Sequence, residues 1–398
     1  MNREFYKKLL SLVLPIAFQQ FMLSLVSASD ALMLGFISQD ALSAVSFVFF
    51  IGTLFFPRQL MYFFTSEPKL INGGILYLQA SAISYLLCGI SQIYLCIMKN
   101  SGHAVKSTLI SSTAVILNIA LNAALIFGLG KFPMFGIAGA AYATVIARAV
   151  EMIWAVLDSA KAGRIRLNLN FFFHPDKNLE KIYWKYSLPI LGNELAWGCG
   201  FTMYSVVMGH MGSDAVAANS IANIAKNLMI CFCIGIANGG SILVGNELGA
   251  GRLALAKEYG RKLCRLSIVG GVASGALLLL FSPLILHFAA LGSQAAEYLK
   301  WMFFICSYYL IGKSINTTTI GGIFSAGGDT RFGLICDTVT LWCVTVPMGC
   351  IAAFVFNWPV LAVYFVLNLD EIVKLPAVYR HYKEYRWVKN LTQNPDFS

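Results

Sequence analysis

The sequence predicts an all-α integral membrane protein built from two pseudo-symmetric helical lobes, and three observations carry that prediction. Of 398 residues, 58% are apolar and only 12% are charged, with a mean hydropathy of +0.70, so there are too few polar groups to cover a water-facing surface. Apolar runs at 9–36, 72–97, 107–130, 134–157, 186–209, 215–245, 263–291, 296–323, 332–356 and 358–379 each reach the ~18 residues that mark a bilayer-spanning helix. Finally, one passage occurs twice. LPIAFQQFMLSLVSASDALMLGFISQDALSAVS (Leu14 to Ser46) aligns without a gap on LPILGNELAWGCGFTMYSVVMGHMGSDAVAANS (Leu188 to Ser220), placing Gly35 on Gly209, Asp40 on Asp214 and Ser46 on Ser220.

Taken in order, the runs give about ten full transmembrane helices plus one short segment. The first run starts after only eight residues, yet it is long, lacks a small-residue cleavage site and leads into further spans, so it reads as a retained helix. The apolar piece at 41–57 offers only about 16 apolar positions, or ~24 Å of helix, against a hydrocarbon core of ~30 Å. Topological parity points the same way. The basic N-terminus and the basic Lys99–Lys106 connection belong on one side, and the runs at 9–36 and 72–97 already supply the even number of crossings between them. Residues 41–57 are therefore expected to form a re-entrant or interfacial segment.

The shortfall lies in the first copy. Phe56-Pro57 follows Pro15 by 42 residues, whereas Ser282-Pro283 follows Pro189 by 94, so the first copy is 52 residues shorter. It lacks a counterpart to 221–272, which hold most of one helix, the loop VGNELGAGRLALAKEYGRK and the start of another. Losing two helices preserves the topology downstream. The long polar connection after the fourth full run separates the copies and sets the expected organisation: an N-terminal lobe at 1–157, a cytoplasmic connection at 158–185, a C-terminal lobe at 186–383 and a cytoplasmic tail at 384–398. Duplicated halves of this kind are a common plan for secondary transporters, which bind cargo where the repeats meet.

A net charge of +10 does not imply nucleic acid here, because the cations sit in short connections between apolar runs. On one alternating set of connections, 22 of the 29 Lys and Arg are found, Lys374 among them; Arg58, Lys69, Lys131 and Lys300 occupy the other. This bias places both termini in the cytoplasm and suits a multi-pass protein of a bacterial cell membrane. Ten scattered cysteines without a CxxC spacing read as reduced packing residues. There is no HExxH, no GxSxG and no GK[ST] after Gly321-Gly322 or Gly327-Gly328. The expectation is a transporter rather than an enzyme, without a cofactor or resident metal, monomeric, its partners being membrane lipids, small molecules and a transported Na⁺ or H⁺.

Several passages identify a resemblance. DALMLGFISQDALSAVS, MKNSGHAVKSTLISSTAVILNIALNAALIFG, FGIAGAAYATVIAR, VGNELGAGR and LDEIVKLP resemble the multidrug and toxic compound extrusion (MATE) transporters, across nearly the whole chain. The resemblance implies two six-helix lobes, from which this chain departs by lacking most of helices two and three. It also implies export of cationic or amphipathic compounds in exchange for Na⁺ or H⁺. Asp30 matches the family's first-helix acid, Pro15 the proline about which that helix bends, and Glu194 lies near the acidic position of helix seven. The same superfamily includes flippases for lipid-linked and polysaccharide precursors, and a chain short of two helices also admits a non-transporting remnant.

An ionisable group inside an apolar span costs several kcal/mol unless it faces a cavity or a partner. Asp30, Glu194 and Asp337 are the candidate cation- or proton-coupling residues on this ground; the alternative for each is a structural carboxylate, hydrogen-bonded or at a helix end. Pro189, like Pro15, is a candidate kink whose freed carbonyls could share a cation. Trp197, Phe201 and Tyr204 on the helix of Glu194 are candidate contacts for a flat substrate. Arg148 and Glu151 are spaced to pair locally, as are Asp370 and Glu371 with Lys374. Lys226 and Lys313 have no acid nearby in sequence and are expected to meet Asp337 or Glu194 across the bundle. Acids are expected to outnumber cations deep in the spans. Asn118, Asn122, Asn193, Asn219, Asn223 and Asn316 line a path or tie helices together, and Trp358, Tyr385 and Trp387 are expected at the interface or against lipid.

Overall fold

A computed structural model of the chain describes residues 2–34, 55–59, 68–127, 135, 137–160, 177–289 and 291–389. Most of 41–57, and with it the re-entrant reading, lies outside the described residues, as does most of the 158–185 connection. Every regular element described is helical. The long helices are α1 (Asn2–Leu34), α2 (Pro68–Asn100), α3 (Ala104–Phe127), α4 (Ile137–Ser159), α5 (Lys177–His210), α6 (Ser213–Gly249), α7 (Leu253–Phe288) and α8 (Ser293–Asn316). Each tracks one apolar run, and all but α4 start several residues before it. Among the described residues, six helical stretches are both long and apolar enough to cross a bilayer, including Ser213–Gly249, Leu253–Phe288 and Thr330–Val355.

Past α8 the helical path is no longer uniform. It widens to a π-helix over Thr317–Phe324, resumes as α9 (Thr330–Thr338), widens again over Val339–Thr345, continues as α10 (Val346–Cys350) and ends in a third π stretch at Ile351–Val355. The last apolar run is divided into α11 (Val360–Leu367), α12 (Asp370–Val373) and α13 (Leu375–Lys383), parted by turns around Asn368 and Lys374. Helices α1, α5 and α7 run through Pro15, Pro189 and Pro283, which membrane helices tolerate when neighbours or local backbone adjustment take up the freed carbonyl.

The chain forms two compact units, residues 25–173 and residues 1–24 with 174–398. The second boundary falls within the expected connection. The first 24 residues, however, group with the C-terminal half, where the sequence division placed all of 1–157 in one lobe. Their packing explains the difference. Phe5, Leu9, Val13 and Ile16 are at most 1% exposed, and α6 presents glycines four residues apart to this stripe. A Cβ on Gly235 would lie 2.7 Å from that of Ala17, and one on Gly239 would lie 3.0 Å from Val13 Cγ2. Small residues at this spacing let membrane helices approach closely. Gly235→Leu is expected to push the start of α1 off α6 and lower the melting midpoint of the detergent-purified protein; an unchanged midpoint would mean that α1 docks elsewhere.

In the unit of residues 25–173, α2 and α3 pack on α4 around Tyr94, Leu95, Met98, Ile110 and Ala155. Glu151 is fully buried there and paired with Arg148 at 2.8 Å, the local pair the spacing predicted, with Ser91 Oγ and Gln92 Nε2 donating at 3.2 and 3.3 Å. Asp158, also fully buried, pairs with Lys106. Asn122 donates to Asn118, and Asn118 to Thr144 across the α3–α4 contact, so this pair ties helices together.

One aromatic expectation is corrected. Trp358 and Tyr385 are exposed, but Trp387 is completely buried. The chain beyond α13 folds back and lays the indole on Gly260 of α7, and Gly327 faces the Trp387 carbonyl so closely that a Cβ would fall 1.9 Å from it. Tyr382 stacks on the indole at 5.8 Å, and His381 ties the segment to Asp329 at 2.6 Å while stacking on Phe332. A tryptophan after a basic helix end reads as interfacial; two glycines distant in sequence make the slot that buries it.

Candidate functional site

The strongest concentration of buried polar groups lies within the unit of residues 1–24 and 174–398, where α5, α8, α9 and α12 each contribute a side chain. Lys374, 4% exposed, reaches from the turn after α12 to Asp337 on α9 at 2.7 Å and to Glu371 at 3.1 Å. Glu371 is fully buried. It also takes Lys313 of α8 at 3.1 Å and the Asn316 amide at 2.8 Å, and its backbone carbonyl accepts a second N–H from Asn316 at 2.7 Å. The other oxygen of Asp337 accepts from Asn193 of α5 at 3.0 Å. Gly312 permits the convergence, since a Cβ there would stand 3.0 Å from the Glu371 Cβ.

The local sequence accounts for much of this geometry. Asp370 and Glu371 start α12, where carboxylates favour the positive end of the helix dipole, and the three-residue step to Lys374 returns its ammonium to Glu371. Asn316 is the last α-helical residue before the first π segment, and Asp337 lies two residues before Val339, where the second begins. Such widened turns often accompany functional sites because they re-aim neighbouring side chains.

Beside the network, Lys226 of α6 is 6% exposed. Its ammonium donates to Asn368 Oδ1 at 3.3 Å and lies over the Tyr309 ring at 4.6 Å. A narrow, partly open cleft adjoins it, lined among others by Phe201 and Tyr204 of α5, Asn219 and Asn223 of α6, and Asn368. Trp197 and Phe201 stack at 5.4 Å with their planes 14° apart, and Lys313 sits 4.4 Å over the Trp197 ring. Asp370, 1% exposed, has one carboxylate oxygen buried without a hydrogen bond, and Lys374, Lys313 and Lys226 all act on its charge.

The sequence candidates are thus distributed unevenly. Asp337 is inside the network. Glu194 is exposed on α5 next to Asn193, with Lys313 and Asp337 acting on its charge. Phe201 and Tyr204 line the cleft, and Trp197 adjoins it through Phe201. Asp30 is on α1, but its side chain lies outside the described residues. Three expectations are corrected. Lys313 pairs with Glu371 rather than with Asp337 or Glu194, and Lys226 meets an amide and aromatic rings rather than a carboxylate. Nor do acids outnumber cations here: Asp337, Asp370 and Glu371 stand against Lys226, Lys313 and Lys374, because Lys374, which by position ends a hydrophobic run, folds inward instead of reaching water. Glu371, Lys374 and Asn316 are the residues whose joint role the sequence concealed.

A family model described as MatE matches residues 45–124 and 189–351. The chain belongs to the MatE family. Over 322 residues this MatE chain is 23% identical to the uncharacterized transporter YisQ of Bacillus subtilis, an alignment covering 80% of this chain and 68% of YisQ. It is 26% identical over 267 residues to the probable multidrug resistance protein NorM of Listeria innocua, covering 65% of this chain and 57% of NorM. The alignments thus span little more than half to two thirds of the length of these relatives. Its fold is that of a solved MATE structure in complex with MaL6, at a TM-score of 0.82, 16% identity and 96% coverage of each chain. The MatE chain is a multi-pass membrane protein.

Proposed function

We propose that this chain is a secondary active exporter of amphipathic small molecules, driven by inward movement of Na⁺ or H⁺ and working by alternating access. The observation that carries the proposal is the Lys374–Asp337–Glu371–Lys313 network. Three buried charges and a half-buried lysine, drawn from α8, α9 and α12 with the turn after it, cost more to maintain than apolar packing in the same place, which fits a group of charges kept for use. Coupling follows from competition. Asp337 is held by the Lys374 ammonium at 2.7 Å, so a proton or Na⁺ arriving at this carboxylate releases the lysine and shifts the balance between two arrangements of α9 and α12. Among the described residues, no three of His, Cys, Asp and Glu are grouped as a metal site, so a passing Na⁺ would also need amide and carbonyl oxygens. Asp30 is assigned the parallel role on α1, and Glu194 a role at the edge of the network.

Cells expressing the chain are expected to extrude ethidium along an imposed ion gradient. Asp30→Asn and Asp337→Asn are each expected to abolish that efflux with membrane abundance unchanged. Full efflux in either variant removes that residue from the coupling scheme, and no efflux from the unaltered chain rejects the proposal. That last outcome would favour the second reading, a remnant that no longer transports, which rests on the 52 residues by which the first repeat is shorter than the second. Orientation with both termini in the cytoplasm and a monomeric state remain part of the proposal.

A further inference from the structure

The first turns of α7 carry Lys257, Arg261, Lys262 and Arg265 within nine residues, and their surroundings divide them. Lys262 is paired with Glu258 at 2.6 Å. Glu384, in the segment that folds back after α13, holds Arg386 at 2.9 Å and Arg380 at 3.8 Å, and Arg252 has Glu247 at 2.5 Å. Lys257 lies over the Tyr385 ring at 4.7 Å. Arg261 and Arg265 are different. Both are exposed, and among the described residues neither meets a carboxylate.

Their place on the helix says what they face. α7 buries one stripe through Ala256, Gly260, Leu263, Ser267, Gly270 and Ser274. A turn of about 100° per residue sets Arg261 and Arg265 on the opposite side, in line with Ile268, Val269 and Val272, which are exposed and so form the lipid-facing stripe of a membrane-crossing helix. Depth agrees. Twenty residues cover the ~30 Å hydrocarbon core, and counted back from the helix end at Phe288 the twentieth is Val269. Arg265 then stands ~6 Å beyond the hydrocarbon edge, at the level of lipid phosphates, with Arg261 one turn above it. Arg265 also lies two residues inside the apolar run at 263–291, whereas a cation that served only to orient the helix would sit in the connection before it. Arginine presents its N–H groups as a planar fork that matches pairs of phosphate oxygens. A zwitterionic head group would bring its own ammonium to a face that already holds Lys257, and the nearby acids Glu258 and Glu384 are engaged. The balance of charge favours a head group that is negative overall.

We infer that Arg261 and Arg265 bind the phosphate of an anionic phospholipid whose chains lie along Ile268, Val269 and Val272. Lys257, one turn above Arg261, adds its charge to the site. The lipid is a lasting neighbour of α7 and not cargo, so the inference stands or falls separately from the export proposal.

The test offers the purified full chain, in detergent micelles, equal amounts of dioleoyl phosphatidylglycerol and dioleoyl phosphatidylcholine and counts bound lipid by native mass spectrometry. Phosphatidylglycerol is expected to be retained at least about fivefold over phosphatidylcholine, the factor that one cation near a lipid surface contributes. Arg261→Gln with Arg265→Gln is expected to bring the ratio close to one, and Arg261→Lys with Arg265→Lys to keep part of it. Arg380→Gln with Arg386→Gln removes two exposed cations that already have Glu384, and is expected to keep most of it. Excess inorganic phosphate is expected to leave the lipid in place. A ratio near one for the unaltered chain overturns the inference, as does an undiminished ratio in folded Arg261→Gln with Arg265→Gln. An equal fall in the Arg380 and Arg386 variant would spread the attraction over the whole basic end, and displacement by phosphate would assign the arginines to a free anion; either result also overturns it. Should the double glutamine variant fail to fold, Arg265→Gln alone decides, with a lowered ratio expected and an unchanged one against the site.

Discussion

Lys374→Met is expected to destabilise the unit by ~3–5 kcal/mol, the usual cost of removing one partner from a buried ion pair. The lysine side chain is only 3% exposed and is shared by two carboxylates, but they would not suffer equally. Glu371 keeps Lys313 and Asn316, whereas Asp337 is left with the Asn193 amide alone. The second carboxylate therefore carries most of the penalty. Neutralising it in the same chain, as Lys374→Met with Asp337→Asn, is expected to recover much of the loss, because a buried neutral amide costs far less than a buried unpaired charge. Melting midpoints of the single and double variants in one detergent check this. A single variant as stable as the parent, or a double variant less stable than the single, contradicts the pairing described.

Trp387→Ala is expected to cost a comparable ~3–5 kcal/mol, the range for truncating a large buried aromatic. The indole is fully buried against Gly260, and its carbonyl sits over Gly327, so removing the ring leaves a cavity whose walls are backbone and cannot easily close. Trp387→Phe should retain part of the stability. In addition to the lowered midpoint, the segment after α13 is expected to become sensitive to limited proteolysis, since the His381–Asp329 pair and the Lys257–Tyr385 contact would then be left to hold it. A variant with parental melting and protease resistance would place the tryptophan outside the core.

The helical architecture was legible because each span is written locally, as an apolar run bounded by charges, and the run limits differ from the helix limits by only a few residues in most cases. The site was legible in pieces. Asp337 stood out as an acid in an apolar run, and the Glu371–Lys374 spacing gave a correct local pair. That this pair joins Asn193, Lys313, Asn316 and Asp337 is a long-range fact that no spacing encodes, and Lys374 was obscured by its place at the end of a run, where lysines normally reach water. The cleft had a readable signal. Asn219, Asn223 and Lys226 recur every three or four residues along α6 and so share one face of an otherwise apolar helix. Asp30 was legible as a charge in a span, and its surroundings were not.

The docking of α1 against α6 has a further consequence for how the protein is made. Ser24 meets Cys231 across 207 residues of chain, and Ala17 meets Gly235, so the first helix to leave the ribosome must wait in the bilayer until the sixth has been synthesised before it finds its seat. Contacts of such separation form late, and an early helix without its partner exposes a stripe suited to the wrong neighbour. During biogenesis this protein is therefore expected to depend on insertion factors that shelter α1, and slowed translation between residues 34 and 213 should lower its yield.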